Sequence, residues 1–193
     1  MLLTQQHRHF ILHKPAGYLS QFVNNQNKRR NKKLLGALGE FPEGTMAIGR
    51  LDERSEGLLL LTTDGKVSEQ IRSNKLEKEY YIQVDGIITE EAIAQLQAGL
   101  KISIYGNPYD TLPCKAFSLG KDPVLPFPSK KIRSDDHGPT SWASIILTEG
   151  KYRQVRKMSA AVGFPTLRLV RVRIDQIRID DLGVGEYLEV AAF

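Results

Sequence analysis

The chain of 193 residues contains one cysteine, Cys114, which excludes an internal disulfide framework and any zinc site built from cysteine pairs. No unbroken apolar run exceeds four residues, as at Leu58–Leu61, whereas a membrane span needs about 20. The opening MLLTQQHRHF has no apolar stretch of the kind that directs secretion. These absences lead to the expectation of a cytoplasmic protein with no membrane partner. No glycine-rich phosphate loop is present, and four histidines without a convincing set of partners exclude an obvious metal centre, the His7-x-His9 pair included. Acid is also missing from two places. Residues 28–33, KRRNKK, and residues 151–173 carry only positive charge, so the net charge of +5 is local rather than spread over the chain. Two such patches on a nearly neutral body fit a polyanion footprint, although for KRRNKK a solvated loop fits the charge equally well.

What is present is an ordinary globular composition, 41% hydrophobic and 25% charged, long enough to bury a core. One domain over 1–193 is expected, with residues 1–9 as a flexible N-terminus and 20–33 as a basic loop. Strand signals occur at Phe10–Leu12, at GLLLLTTDG, at EYYIQVDGI, at SWASIILTEG and at RLVRVRI. In the last, Val170, Val172 and Ile174 are expected on one face and Arg171 and Arg173 on the other. LLGALGEF reads as one or two helical turns, and KVSEQIRSN and RQVRKMSAAV as short helices. TEEAIAQLQAGL is the clearest helix, with Thr89 as cap, two glutamates in its first turn and Gly99 past its end. Residues 105–140 hold six of the nine prolines and read mostly as connecting structure. Strands and helices without regular alternation predict an α+β domain on a largely antiparallel sheet.

The stretch GRLDERSEGLLLLTTDG, residues 49–65, sets Arg50, Asp52, Glu53, Arg54 and Glu56 in front of a buried strand. Arginines on both sides of Asp52 favour its ionised form, as a nucleophile or base requires. A turn of compensating, solvated charges explains the spacing as well. The pattern as a whole is more specific. GRLDERSEGLLLLTTDG, KEYYIQVDG and GKYRQVRKMSAAVGFPTLRLVRV, preceded by ILHKPAGYLSQF, resemble in order the motifs of the pseudouridine synthases that modify ribosomal RNA. The branch is the one containing the small-subunit enzyme A and the large-subunit enzymes B, E and F. PTSW at 139–142 and the third motif resemble the type E branch most closely. The first motif usually reads Asn-Lys-Pro where this chain has His13-Lys14-Pro15.

The resemblance implies a pseudouridine synthase fold, an α+β mixed sheet with flanking helices and two lobes around a central RNA-binding cleft. It implies an isomerase that breaks the N1–C1′ bond of a uridine, turns the base and rejoins it through C5, with no cofactor and no metal. The motif positions make Asp52 the catalytic carboxylate, by attack on C1′ or by removal of a C2′ proton. They make Arg156 its arginine and Tyr80 the catalytic aromatic that stacks on the base and is a candidate to remove the C5 proton. Arg50 takes part in flipping the nucleotide. Gly49 would permit close approach of backbone and RNA. Lys78 is matched beside Tyr80 on one strand face, and Gln154 within the third motif. On a helix Arg153, Arg156 and Lys157 would share a face, Arg153 and Lys157 touching phosphate or solvent. Many relatives carry a small RNA-binding domain ahead of the first motif, which begins here about ten residues in. The loop of Lys28, Arg29, Arg30, Lys32 and Lys33 is expected to grip phosphates in its place, with an affinity that falls steeply with salt. The partner implied is large-subunit ribosomal RNA, protein-free or in an early assembly intermediate, and nothing demands more than a monomer. Small-subunit or transfer RNA stays open as substrate, as does a binding module without chemistry. Glu53, Arg54 and Glu56 have no assigned role and read as a solvated turn.

Overall fold

The structure is a computed structural model and describes residues 6–23, 31–73, 75–180 and 182–193. The chain divides into two compact units, residues 1–75 with 179–193, and residues 76–178. In chain order the first holds β1 (His9–Lys14), β2 (Tyr18–Leu19), β3 (Lys33–Leu34), a 3-10 turn (Leu35–Leu38), β4 (Met46–Ile48), β5 (Glu56–Thr62) and α1 (Gly65–Ser73). The second holds β6 (Lys78–Asp85), α2 (Glu90–Ala98), β7 (Lys101–Ile104), β8 (Asn107–Asp110), β9 (Lys115–Gly120), β10 (Thr140–Leu147), α3 (Gln154–Ala161), β11 (Thr166–Ile174) and β12 (Ile177–Arg178). The chain then returns to the first unit as β13 (Tyr187–Val190).

The first unit is an antiparallel sheet in the order β13-β1-β5-β4. Every residue of β5 is buried, as the unbroken Leu58–Leu61 run requires. Alternation sends Leu59 and Leu61 to one face, where they pack with Phe10, Leu12 and Leu35. Phe41 and Tyr187 close over this cluster, their ring centroids 4.6 Å apart. Asp64 starts α1 by accepting from the Lys66 and Val67 N–H groups, and the first of these bonds is the main cause holding its carboxyl below the usual aspartate value.

The second unit is an antiparallel sheet in the order β12-β11-β6-β10-β9. Ile82 and Val84 of β6, with Ala143 and Ile145 of β10, face a core shared with Ala92, Ile93 and Leu96 of α2 and with Val155 and Met158 of α3. Thr89 caps α2, its hydroxyl oxygen accepting from the Ala92 N–H at 3.2 Å. The proline-rich region is more structured than expected. It contains β8 and β9, because Pro108 lies in a two-stranded β7–β8 pair, where a missing N–H is tolerated. Its irregular part is pinned by Arg168, buried, whose guanidinium lies 4.9 Å from the Phe127 ring centre and donates to the Pro128 carbonyl. Among the described residues no helix is long and apolar enough to cross a membrane.

Cys114 sits beside α2, its thiol donating to the Leu96 carbonyl, and burial, with a smaller contribution from Glu149, pushes its pKa up to about 11. At pH 8 the native protein should therefore resist iodoacetamide, while the denatured protein is alkylated, as intact mass would record. The folded thiol holds its proton more tightly than the unfolded one, so this group's stabilising contribution is complete below about pH 9 and is lost as pH rises towards about 11.

Candidate active site

In the first unit the residues around Asp52 are held from outside the motif that contains it. The Asp52 carbonyl accepts from the Ser55 N–H at 3.0 Å, closing a turn immediately before β5. Lys14, at the end of β1 and fully buried, donates from its ammonium to the carbonyls of Pro15 at 2.9 Å, Tyr18 at 2.8 Å and Glu53 at 3.4 Å. The Gly17 N–H donates to the same Glu53 carbonyl at 2.7 Å. The Ser20 hydroxyl donates to the Leu51 carbonyl and accepts from the Leu51 N–H. The first motif therefore stitches the backbone on both sides of Asp52, and this explains why Lys-Pro-x-Gly-Tyr precedes it by so many residues. Lys14 and Ser20 were missed as site residues because no local spacing connects them to Asp52. His13 stands where the motif usually has asparagine, and its buried ring donates from Nδ1 to the Leu182 carbonyl at 2.8 Å, a bond an amide would also make.

Gly49 has φ +71°, and a side chain there would meet no atom within 4 Å. The left-handed backbone conformation by itself favours glycine at this position. Arg50 is exposed and lines a recess of about 470 Å³ with Ser20, Phe22, Thr45 and Met46. The solvated-turn reading of the remaining charges is corrected in two places. Glu53 forms an ion pair with Lys32 at 2.7 Å, and Glu56 is buried where β5 begins; Arg54 alone is exposed. Lys32 is thus engaged within the protein, and Lys33 lies 5.5 Å from the Tyr18 ring centre. Lys28, Arg29 and Arg30 lie outside the described residues.

In the second unit β6 separates its side chains as alternation predicts. Tyr80 packs against the core that holds Ile82 and Val84. Glu79 accepts on the other face from Ser144 and Arg173, and Tyr81 meets Phe127. Lys78 donates to the Leu76 carbonyl, and its pKa lies below the usual lysine value, first through burial and then through the nearby Arg171. The expectation that Arg171 and Arg173 share a face fails. The β11–β6 register shifts between them, so Arg171 lies opposite Tyr80 and Arg173 opposite Glu79. Adjacent β6 positions face opposite sides, and the two arginines do the same. Arg173 bridges Glu79 at 2.9 Å and Glu77 at 3.1 Å, while Arg171 lies near Lys78 on the Tyr80 face.

The third motif forms the expected short helix, which begins one residue later than its spacing suggested. Arg153 is the residue before α3 and has φ +52°, so of the three only Arg156 and Lys157 lie within the helix. Arg156 donates to the Thr166 carbonyl at 3.3 Å, and Lys157 points elsewhere, to the Ser103 carbonyl at 2.5 Å. Gln154, expected at the RNA surface, is instead 3% exposed. Its amide donates to Glu149 at 2.6 Å and accepts from the Lys151 N–H, which fixes the 149–151 turn.

This arrangement of motifs on antiparallel sheets matches known proteins. The sequence profile described as RNA pseudouridylate synthase matches residues 8–161. The chain is similar to a ribosomal large subunit pseudouridine synthase E from Xanthomonas axonopodis pv. citri, 39% identical over 89% of this chain and 88% of that one. It is also similar to a protein of the same name from Vibrio vulnificus, 35% identical over 94% of this chain and 74% of the other. A solved pseudouridylate synthase superposes with a TM-score of 0.73 at 26% identity, covering 97% of this chain and 72% of that one. The protein is an isomerase in class, with the fold and motifs of a uridine-rearranging enzyme. It belongs to the RNA pseudouridylate synthase family.

Proposed function

We propose that the protein converts one uridine of large-subunit ribosomal RNA to pseudouridine, with Asp52 as the catalytic carboxylate. The observation that carries this reading is the clamp on the Asp52 turn, in which a buried lysine and a serine from the first motif fix the backbone on both sides of a half-buried carboxylate. A scaffold of that rigidity is what a group needs when it must meet C1′ or the C2′ proton at one position. The similarity to two proteins named for the large ribosomal subunit supports the choice of RNA.

In this reading Asp52 acts on the ribose while the N1–C1′ bond breaks. The base turns, C5 bonds to C1′ and gives up its proton, and N1 ends protonated, so product and substrate have the same atoms. Tyr80 stacks on the uracil, and Arg156 completes the catalytic set. Arg50 enters the RNA to extrude the nucleotide. Lys78 and Arg171 keep the Tyr80 face positive, which suits a base flanked by phosphates.

The test is incubation with transcribed large-subunit RNA, small-subunit RNA and transfer RNA, followed by carbodiimide labelling and mapping of reverse-transcription stops. A protein-dependent stop on large-subunit RNA is expected. Stops confined to either other RNA would overturn the substrate assignment. No stop on any RNA, with binding retained, would overturn catalysis in favour of a binding module.

A further inference from the structure

Two of the most exposed aromatic side chains lie together in the second unit, outside the residues assigned to catalysis. Tyr105 is 76% exposed and Tyr152 49% exposed, and their rings stack with centroids 4.9 Å apart and planes 17° from parallel. Exposed aromatics of this size are normally driven into a core or an interface. The local backbone makes the placement of Tyr105 more telling. It occupies the first position of the two-residue turn between β7 and β8, with φ +51°, followed by Gly106 at φ +84°. Such a turn favours asparagine or glycine there, and a bulky aromatic at positive φ is uncommon. Arg153, directly after Tyr152, is also at positive φ. The hairpin and the α3 entry thus both hold strained conformations to present this surface.

Two lysines lie close to the pair. The Lys157 ammonium lies 5.2 Å from the Tyr152 ring centre, and that of Lys151 lies 5.0 Å from the ring centre of Tyr109. Glu149, the acid nearest in sequence, is occupied: the Tyr109 hydroxyl, the Leu112 N–H and the Gln154 amide all donate to it. The footing of the surface is therefore rigid, and what it offers outward is ring faces and cations. Stacking rings flanked by positive charge are the recognition chemistry of unpaired nucleotides.

We propose that Tyr105 and Tyr152 form a stacking platform for an unpaired base of the RNA, with Lys151 and Lys157 meeting the adjoining phosphates. The inference rests on RNA being the substrate. It gives Tyr105 and Tyr152 a role that the motif resemblance does not assign to them.

The test uses the full chain and fluorescence anisotropy with fluorescein-labelled oligoadenylate, single-stranded or paired with oligouridylate. Tyr105→Asn is the informative variant, since asparagine suits the turn better than tyrosine. Its melting temperature should be equal to or above that of the wild type, while affinity for the single strand falls about tenfold. Tyr152→Ala should lose a similar amount, and Tyr105→Phe, which keeps the ring, should restore binding. The tyrosine variants should keep the salt slope, and Lys157→Gln should reduce it by roughly 0.7, the release expected for one single-strand phosphate contact. An unchanged single-strand affinity in Tyr105→Asn and Tyr152→Ala would overturn the platform, as would an equal loss for the duplex. If the wild type modifies ribosomal RNA and those variants bind normally, the platform alone fails. If the wild type neither binds nor modifies RNA, the functional reading falls with it.

Discussion

Asp52→Asn should lower pseudouridine formation by about ten-thousandfold or more while RNA affinity and melting temperature stay close to wild type. A carboxamide has nearly the shape of a carboxylate but is neither nucleophile nor base, so both routes to breaking the N1–C1′ bond are lost together. The substitution keeps the size of the side chain. The turn at Asp52 uses its backbone carbonyl, which asparagine retains, and Lys14 grips the carbonyls of Pro15, Tyr18 and Glu53. Single-turnover formation of pseudouridine, measured beside the dissociation constant for the same RNA, separates the two quantities. Turnover within tenfold of wild type would remove Asp52 from the reaction.

Lys14→Met is expected to have the second largest effect, and through a different route. Methionine keeps the length and apolar stem of the side chain but removes every donor. The carbonyls of Pro15, Tyr18 and Glu53 would each lose the ammonium bond. Loss of a buried donor costs about 1–3 kcal/mol for each group left unpaired, partly offset because an ammonium no longer has to be stripped of water. A net loss of about 3–5 kcal/mol follows, or about 10 °C in Tm for a chain of this size. The more revealing quantity is kcat well below the new Tm. If the clamp positions the Asp52 turn, kcat falls at least tenfold with little change in RNA affinity. Wild-type kcat at a lowered Tm would make Lys14 a purely structural residue.

The parts of the fold that were legible are those whose signals are local. The α2 helix announced itself through Thr89, its first-turn glutamates and Gly99, and β5 through four leucines that no surface strand would carry. The division of Lys78 and Tyr80 from Glu79 and Tyr81 followed from strand alternation alone. What was not legible depends on pairing between distant residues. Nothing near Lys14 shows that it closes on Glu53, 39 positions away. The β11 bulge that sends Arg171 and Arg173 to opposite faces exists only in register with β6. Helical spacing put Arg153 inside the helix, whereas its left-handed backbone places it at the helix entry. Prolines hid β8 because their penalty depends on which edge of a strand they occupy.

The return of the chain in β13 has a consequence in time. The first unit has one edge of β1 open until residues 187–190 arrive, because His9–Leu12 pair with Val190–Tyr187 and the ladder continues through His13 with Gly185 and Glu186. On a translating ribosome, residues 76–178 are complete before that strand exists. The second unit can therefore finish folding while the first still waits, its Phe10 and Leu12 lacking the Tyr187 ring that covers their cluster. Vectorial synthesis thus leaves the unit that carries Asp52 to be completed after residues 76–178, once residues 187–190 have emerged.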